Sequence, residues 1–181
     1  MNSYDLIQDM TFTQSRDFMT GFKAKYDVKD WFSVHLSMHA DFYDRFKRHE
    51  RLDERKKVYK SCILEPRLTV TSNYFNHHSL IFGIEHTSDE LTSDRFVNRK
   101  MTTRALHETE YFLQDEWIPN THWLLSTGVR TNFSKAFGFM WMPKLAAKYS
   151  LNNHWAFRAN YSMGYRAPSI KELFFNWDHL G

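Results

Sequence analysis

The chain has 181 residues, 42% of them hydrophobic, 17% aromatic and 25% charged, with a formal net charge of +3. So small an excess of positive charge gives no footing for a nucleic-acid partner, and a lone cysteine, Cys62, excludes an internal disulfide or a cysteine-cluster metal site. No run of about 18 apolar residues occurs, which excludes a membrane-spanning helix but not a spanning strand, because such strands are apolar on one face only. Six Trp, nine Tyr and sixteen Phe exceed the needs of a soluble core of this size and suit aromatic girdles at membrane interfaces.

Residues 1–10 hold two Asp and neither a basic leader nor an apolar core, so they do not read as a secretion signal. Period-two alternation then begins. Phe18, Phe22, Ala24 and Tyr26 alternate with Gly21, Lys23 and Lys25. Phe32, Val34, Leu36, Met38, Ala40 and Phe42 oppose Ser33, His35, Ser37, His39, Asp41 and Tyr43. Cys62 reads as a small apolar strand residue. Leu80, Phe82 and Ile84 oppose Gly83, Glu85 and Thr87, and Glu108, Glu110 and Glu116 share one face of a later strand. Trp123, Leu125, Thr127 and Val129 alternate with Ser126, Gly128, Arg130 and Asn132. Trp141, Leu145, Ala147, Tyr149 and Leu151 alternate with Lys144, Ala146 and Lys148.

Asn152-Asn153 is a two-residue hairpin signal. From His154 to Arg166 the aromatic residues Trp155, Phe157, Tyr161 and Tyr165 bracket Ala159 and Met163 on one face. Arg158, Asn160, Ser162 and Arg166 lie on the other, and a helix would merge the two sets.

This periodicity predicts an all-β chain of about nine strands of roughly 10–15 residues, an antiparallel transmembrane barrel fragment. Short turns are expected at residues 27–30, 76–78, 119–122 and 152–153. Longer polar stretches are expected at 47–57, 89–103 and after Arg166. Short periplasmic turns with longer external loops are the barrel pattern.

The sequence also resembles a family. Gly83-Ile84-Glu85, Tyr111-Phe112-Leu113-Gln114-Asp115-Glu116-Trp117 and Gly128-Val129-Arg130 look like consecutive barrel strands of TonB-dependent receptors. Pro143-Lys144-Leu145-Ala146-Ala147-Lys148-Tyr149 and residues 164–173, from Gly164-Tyr165-Arg166-Ala167-Pro168 to Leu173, follow in the family's order. The resemblance implies a Gram-negative outer-membrane location and a 22-stranded barrel filled by an N-terminal plug. It implies import of a metal chelate (haem, an iron siderophore or cobalamin) driven through TonB. Residues 1–181 are then expected to be a partial barrel, without the plug and the C-terminal strands, surrounded by outer-membrane lipid and lipopolysaccharide. No resident cofactor and no chemical transformation are expected.

Tyr165-Arg166-Ala167-Pro168 resembles a box of haem receptors in this family that also occurs in receptors for other chelates. Pro168 should end its strand, because it cannot donate a ladder hydrogen bond, and Ser169 with Glu172 has the spacing of a capping box. Candidate ligand contacts are Tyr165, Arg166, Pro168 and His179, with His86 and His107 flanking a predicted external loop, since imidazole ligates haem iron. His77, His78 and His122 fall in short turns and read as structural. His35 and His39 share a lumenal face but lack a third metal ligand.

Arg130, Lys144, Lys148 and Arg158 face the lumen beside the glutamates. Cross-strand charge ladders account for both sets without catalysis. The mixed-sign run from Lys47 to Lys57 reads as a solvated loop whose basic residues could face lipopolysaccharide phosphates. Two other readings stay open: a passive porin or adhesin barrel, and a soluble all-β binding module.

Overall fold

Over the middle of each strand the residues of one parity are mainly apolar and those of the other mainly polar, so pairing strand to strand yields a sheet with one oily and one wet face. The computed structural model describes residues 11–49, 55–96 and 100–175. Eight strands form one antiparallel sheet: β1 (Thr11–Lys29), β2 (Phe32–His49), β3 (Arg55–Ser72), β4 (His78–Ser93), β5 (Thr102–Asn120), β6 (Trp123–Ser134), β7 (Gly138–Ser150) and β8 (Ala156–Ser162). Their spatial order equals their sequence order, and β1 and β8 each have one open edge.

The apolar face carries Phe18, Phe22 and Tyr26 of β1 opposite Phe42, Met38 and Val34 of β2. It continues through Leu68 and Ile84 to Tyr111 on β5, and through Leu113, Val129 and Pro143 to β7. Many of these side chains are exposed, among them Phe18, Phe22, Leu113, Trp141 and Phe157. A wall of exposed aromatics and aliphatics on one side of a sheet is stable in hydrocarbon and not in water. Rings gather at the short-turn end: Trp31 on Tyr74 at 4.9 Å, and Trp123 on Tyr149 at 4.7 Å. Such an aromatic belt marks a membrane–water interface.

Four expectations are corrected. The described residues form eight strands, not about nine. β1 to β5 run to 16–19 residues, so much of the polar stretches 47–57 and 89–103 is strand that continues beyond the apolar band. Above the membrane both faces meet water, and the alternation that marks a strand fades. The last predicted strand is shorter, ending at Ser162, although the Met163 N–H still bonds the Pro143 carbonyl at 3.0 Å.

Finally, Asn152-Asn153 is not a two-residue turn. Leu151 and Trp155 close a wider loop, and Asn152 Oδ1 accepts the N–H groups of His154 and Trp155 at 2.9 Å each. An asparagine that bonds the backbone two residues on stabilises its own turn. Residues 135–137 between β6 and β7 are also a short connection, at the end where the longer loops lie.

Pro66 interrupts the β3–β4 ladder. Pairing stops at Leu64 with Ser88 and resumes at Arg67 with Glu85, because proline has no N–H to give. Across β2 the register is unbroken at Met38 and Pro66.

Candidate functional site

The polar face carries a belt of paired charges at mid-height. Arg67 meets Glu85 at 3.6 Å, and Arg130 meets Glu110 at 3.2 Å. Between the two arginines lies the Phe112 ring, 4.7 Å from the Arg67 guanidinium and 5.7 Å from that of Arg130. Buried Asn132 donates to Glu108 at 2.9 Å and to Glu110 at 3.3 Å. The expected charge ladder is present for Glu110 with Arg130, while Glu108 is satisfied by an amide. Such partly exposed pairs each contribute about 0–1 kcal/mol; their larger effect is to keep this wall wet.

At the end away from the short turns, the segment after β8 turns back over the same face. Ser169 caps the helix α1 (Ile170–Phe174), its hydroxyl accepting from the Glu172 N–H while the Glu172 carboxylate accepts from the Ser169 N–H at 2.8 Å. The capping box read from Ser169 and Glu172 is therefore formed. Arg166 adds an ion pair to Glu172 at 2.7 Å. The fold thus uses the box arginine to hold its own loop.

Ile170 is 1% exposed and sits among Val58, Tyr59, Leu91 and Phe96, with Leu106, Phe174 and Phe175 around them. This is the hydrophobic cluster of the described residues, and it pins the segment across β3, β4 and β5. Lys171 lies 5.2 Å from the Tyr59 ring and Arg104 lies 5.0 Å from that of Phe174, closing the contact with cation–π pairs. Residues 163–175 therefore line the mouth of the polar face instead of hanging free.

The hydrogen bonds from Ser169 and the neighbouring Arg166 hold the Glu172 carboxyl below the ordinary glutamate value of 4.5. A carboxyl depressed in the folded form contributes stability above its unfolded pKa and loses it as pH falls through the folded value. Acidification below about pH 4.5 should therefore loosen the segment, read as faster cleavage by pepsin, which is active in acid, at Leu173-Phe174. Glu172→Gln should flatten that acid response while keeping an amide acceptor for the cap.

A sheet with an apolar outer face, an aromatic belt and a wet inner wall partly covered by a returning loop is the anatomy of an outer-membrane barrel wall. The barrel profile described as "TonB dependent receptor-like, beta-barrel" matches residues 2–181. The chain belongs to the TonB-dependent receptor barrel family. It is 24% identical over 154 residues to the iron-regulated outer membrane virulence protein of Vibrio cholerae serotype O1, in both the classical strain O395 and the El Tor strain N16961. The match covers 83% of this chain and 22% of that protein, so the chain spans about a fifth of the length of the curated relatives it matches. The crystal structure of the siderophore receptor PirA from Pseudomonas aeruginosa superposes with a TM-score of 0.55 at 16% identity. It aligns with 86% of this chain, over 34% of its own. The eight strands are thus part of an outer-membrane receptor barrel, with the apolar face toward lipid and the polar face toward the lumen.

Within this receptor wall the sequence-predicted residues separate. Tyr165 is half-buried, Arg166 is exposed and paired with Glu172, and Pro168 precedes the helix cap; all three lie in the docked segment. His179 lies outside the described residues. His86 and His107 share the parity of Ile84 and Tyr111 and face outward, stacked at 6.1 Å, with His86 Nδ1 2.9 Å from Thr109 Oγ1. They do not converge with the box. His78 is the first residue of β4, not a turn residue, and its Nδ1 meets Asp115 at 2.8 Å while its ring stacks on Trp117.

Sequence reasoning missed the Arg67–Phe112–Arg130 stack, whose signal is an aromatic on the polar parity opposite Gly83. It also missed the Ile170 pocket, for which no local signal exists.

Proposed function

We propose that the chain forms part of the barrel of a receptor that imports an iron chelate of siderophore type, with energy passed from TonB through an N-terminal plug. The remaining strands and the plug would be supplied by the rest of the protein. The observation that carries the reading is the box-bearing segment 163–175 turned inward against the lumenal wall, where it meets whatever enters the mouth. Lipid-facing contact alone would not need it. The iron-regulated relative and the siderophore-receptor fold support iron over other cargo.

Haem is the second reading, resting on Tyr165, Arg166, Pro168 and His179. It is weakened because His86 and His107 point to the lipid side, where imidazole cannot reach a ligand in the lumen. Among the described residues none favours cobalamin.

The intact receptor, purified in detergent, should quench its tryptophan fluorescence on adding a ferric siderophore. A strain carrying it should use that chelate under iron limitation only when TonB is present. Saturable binding of haem or cobalamin alone would overturn the siderophore reading. TonB-independent conductance without saturable binding would favour a passive porin.

A further inference from the structure

Between the aromatic belt and the rank of Ile84 and Tyr111, the described outward-facing positions carry one carboxylate, Asp115 of β5. Register fixes its place: Asp115 lies opposite Leu80 on β4 and Thr127 on β6, with Leu113 and Trp117 as its outward neighbours along β5. A carboxylate on the lipid side is costly unless something pairs it. His78, at the start of β4, does half of this. Its Nδ1 meets Asp115 Oδ2 at 2.8 Å, and its ring lies flat against Trp117, with centres 5.5 Å apart and planes within 6°. Asp115 Oδ1 is buried and has no hydrogen-bond partner. Both side chains still reach the surface, 33% exposed for His78 and 26% for Asp115. The carboxylate torsion of an aspartate is soft, so a small turn would bring Oδ1 to that opening.

Beside this pair the outward surface dips. Thr127, Ala147 and Ala159 are small, and with Leu125, Leu145 and Tyr161 they line an open apolar cleft of about 400 Å³. Two successive ranks cross it: Trp117, Leu125, Ala147 and Ala159, then Asp115, Thr127, Leu145 and Tyr161. One wall of the cleft therefore continues directly into Asp115 and its aromatic neighbour. Trp123, Tyr149 and Phe157 form the next rank toward the short turns. The cleft thus opens just inside the aromatic belt, and the polar pair sits at its margin.

We propose that His78, Asp115 and this cleft form a binding site for one phospholipid of the periplasmic leaflet whose headgroup carries a primary ammonium. The ammonium donates to Asp115 and supplies the partner that its carboxylate lacks. The phosphate accepts from the Nε2 edge of the protonated His78 ring, because Nδ1 is committed to Asp115. Both are hydrogen bonds between ionised groups, the stronger kind. An acyl chain lies in the cleft over Ala147 and Ala159, where no large side chain stands in its way. A trimethylated headgroup has no N–H to give, and a glycerol headgroup brings a phosphate without an ammonium. The site would therefore discriminate among lipids that a plain apolar wall treats alike. It rests on this face meeting lipid and is independent of the imported chelate.

The test titrates the intact receptor in detergent with phospholipids of identical acyl chains and reads bound lipid by native mass spectrometry. Phosphatidylethanolamine should bind about tenfold more tightly than phosphatidylcholine or phosphatidylglycerol, the worth of one hydrogen bond to a charged group. Asp115→Asn should remove most of that preference. His78→Gln, which keeps a donor for Asp115 but no cation for the phosphate, should reduce it. Ala147→Leu with Ala159→Leu leaves the polar pair intact and should weaken all three lipids by filling the cleft. Lys144→Gln, on the lumenal face, should change nothing. A heat-modifiable band on gels shows which variants are folded, and His78→Gln decides the headgroup if Asp115→Asn is not. Equal binding of the three lipids by the parent would overturn the site. So would an undiminished preference in the folded polar variants, or unchanged affinities in the double leucine variant.

Discussion

Replacing Ile170 by Asp should release residues 163–175 from the lumenal wall while the eight strands stay paired. Removing a buried isoleucine side chain costs about 2–5 kcal/mol when the pocket cannot collapse, and Val58, Tyr59, Leu91 and Phe96 are held by their strands. Aspartate adds the cost of burying a carboxylate without a partner. A loss of 2 kcal/mol is about a 30-fold change at 1.4 kcal/mol per tenfold. Where the segment opens and closes quickly, protease cleavage follows the open population. Trypsin should therefore cut after Arg166 and Lys171 about 30-fold faster or more in Ile170→Ala, and faster still in Ile170→Asp. Leu91→Ala, from the opposite wall of the pocket, should act in the same direction, while Leu173→Ala, 39% exposed, should change little. Unchanged cleavage in Ile170→Asp would show that the pocket does not hold the segment.

Gly83→Ala should be among the most damaging single changes within the sheet. A methyl group at this position would stand 2.2 Å from Phe112 Cζ and 2.7 Å from the Leu68 carbonyl oxygen. The ring can swing toward the lumen, but the carbonyl belongs to the neighbouring strand and can retreat only by spreading β3 from β4. Overpacking of this kind costs about 1–3 kcal/mol. Displacing the ring also breaks its contacts with Arg67 and Arg130. Phe112→Leu in the Gly83→Ala background should recover part of the loss and not all of it, because the carbonyl contact persists. The measurement is the urea midpoint of the intact receptor in detergent, followed by the gel shift between folded and unfolded barrel. Full recovery in the double variant would assign the clash to the ring alone.

Which face each strand turns to lipid was legible from period two, because hydrocarbon on one side and water on the other imprint opposite chemistry on alternate residues. The same parity groups His86 with Leu80, Phe82 and Ile84, so its outward direction is legible in the residues themselves. Proximity in sequence to a polar loop points the other way, toward the lumen, and parity is the stronger guide. Strand ends were not legible: Arg45, Lys47, Arg55 and Lys57 are polar on both faces because water bathes both there, and only the pairing register shows that they are strand.

Within the candidate site, the cap of α1 could be predicted because Ser169 and Glu172 are three residues apart. The seating of Ile170 against Val58 and Leu91 could not, since those partners lie about 80–110 positions away in sequence and no local pattern encodes them. The family resemblance drew attention to residues 164–173, and the structure shows where that segment comes to rest.

The strict sequence-order meander also sets a timetable for assembly. Each strand finds its partner in the one just before it, so hairpins can add one at a time with only a short chain closure per step. The segment after β8 is the exception: its pocket is built by β3, β4 and β5, three to five strands back from where it leaves the sheet. It can dock only after every intervening strand has taken its place. Protection of Lys171 from trypsin should consequently be the slowest signal in a refolding experiment, appearing after the strand signal has reached its plateau, and would serve as a clock hand for the finished wall.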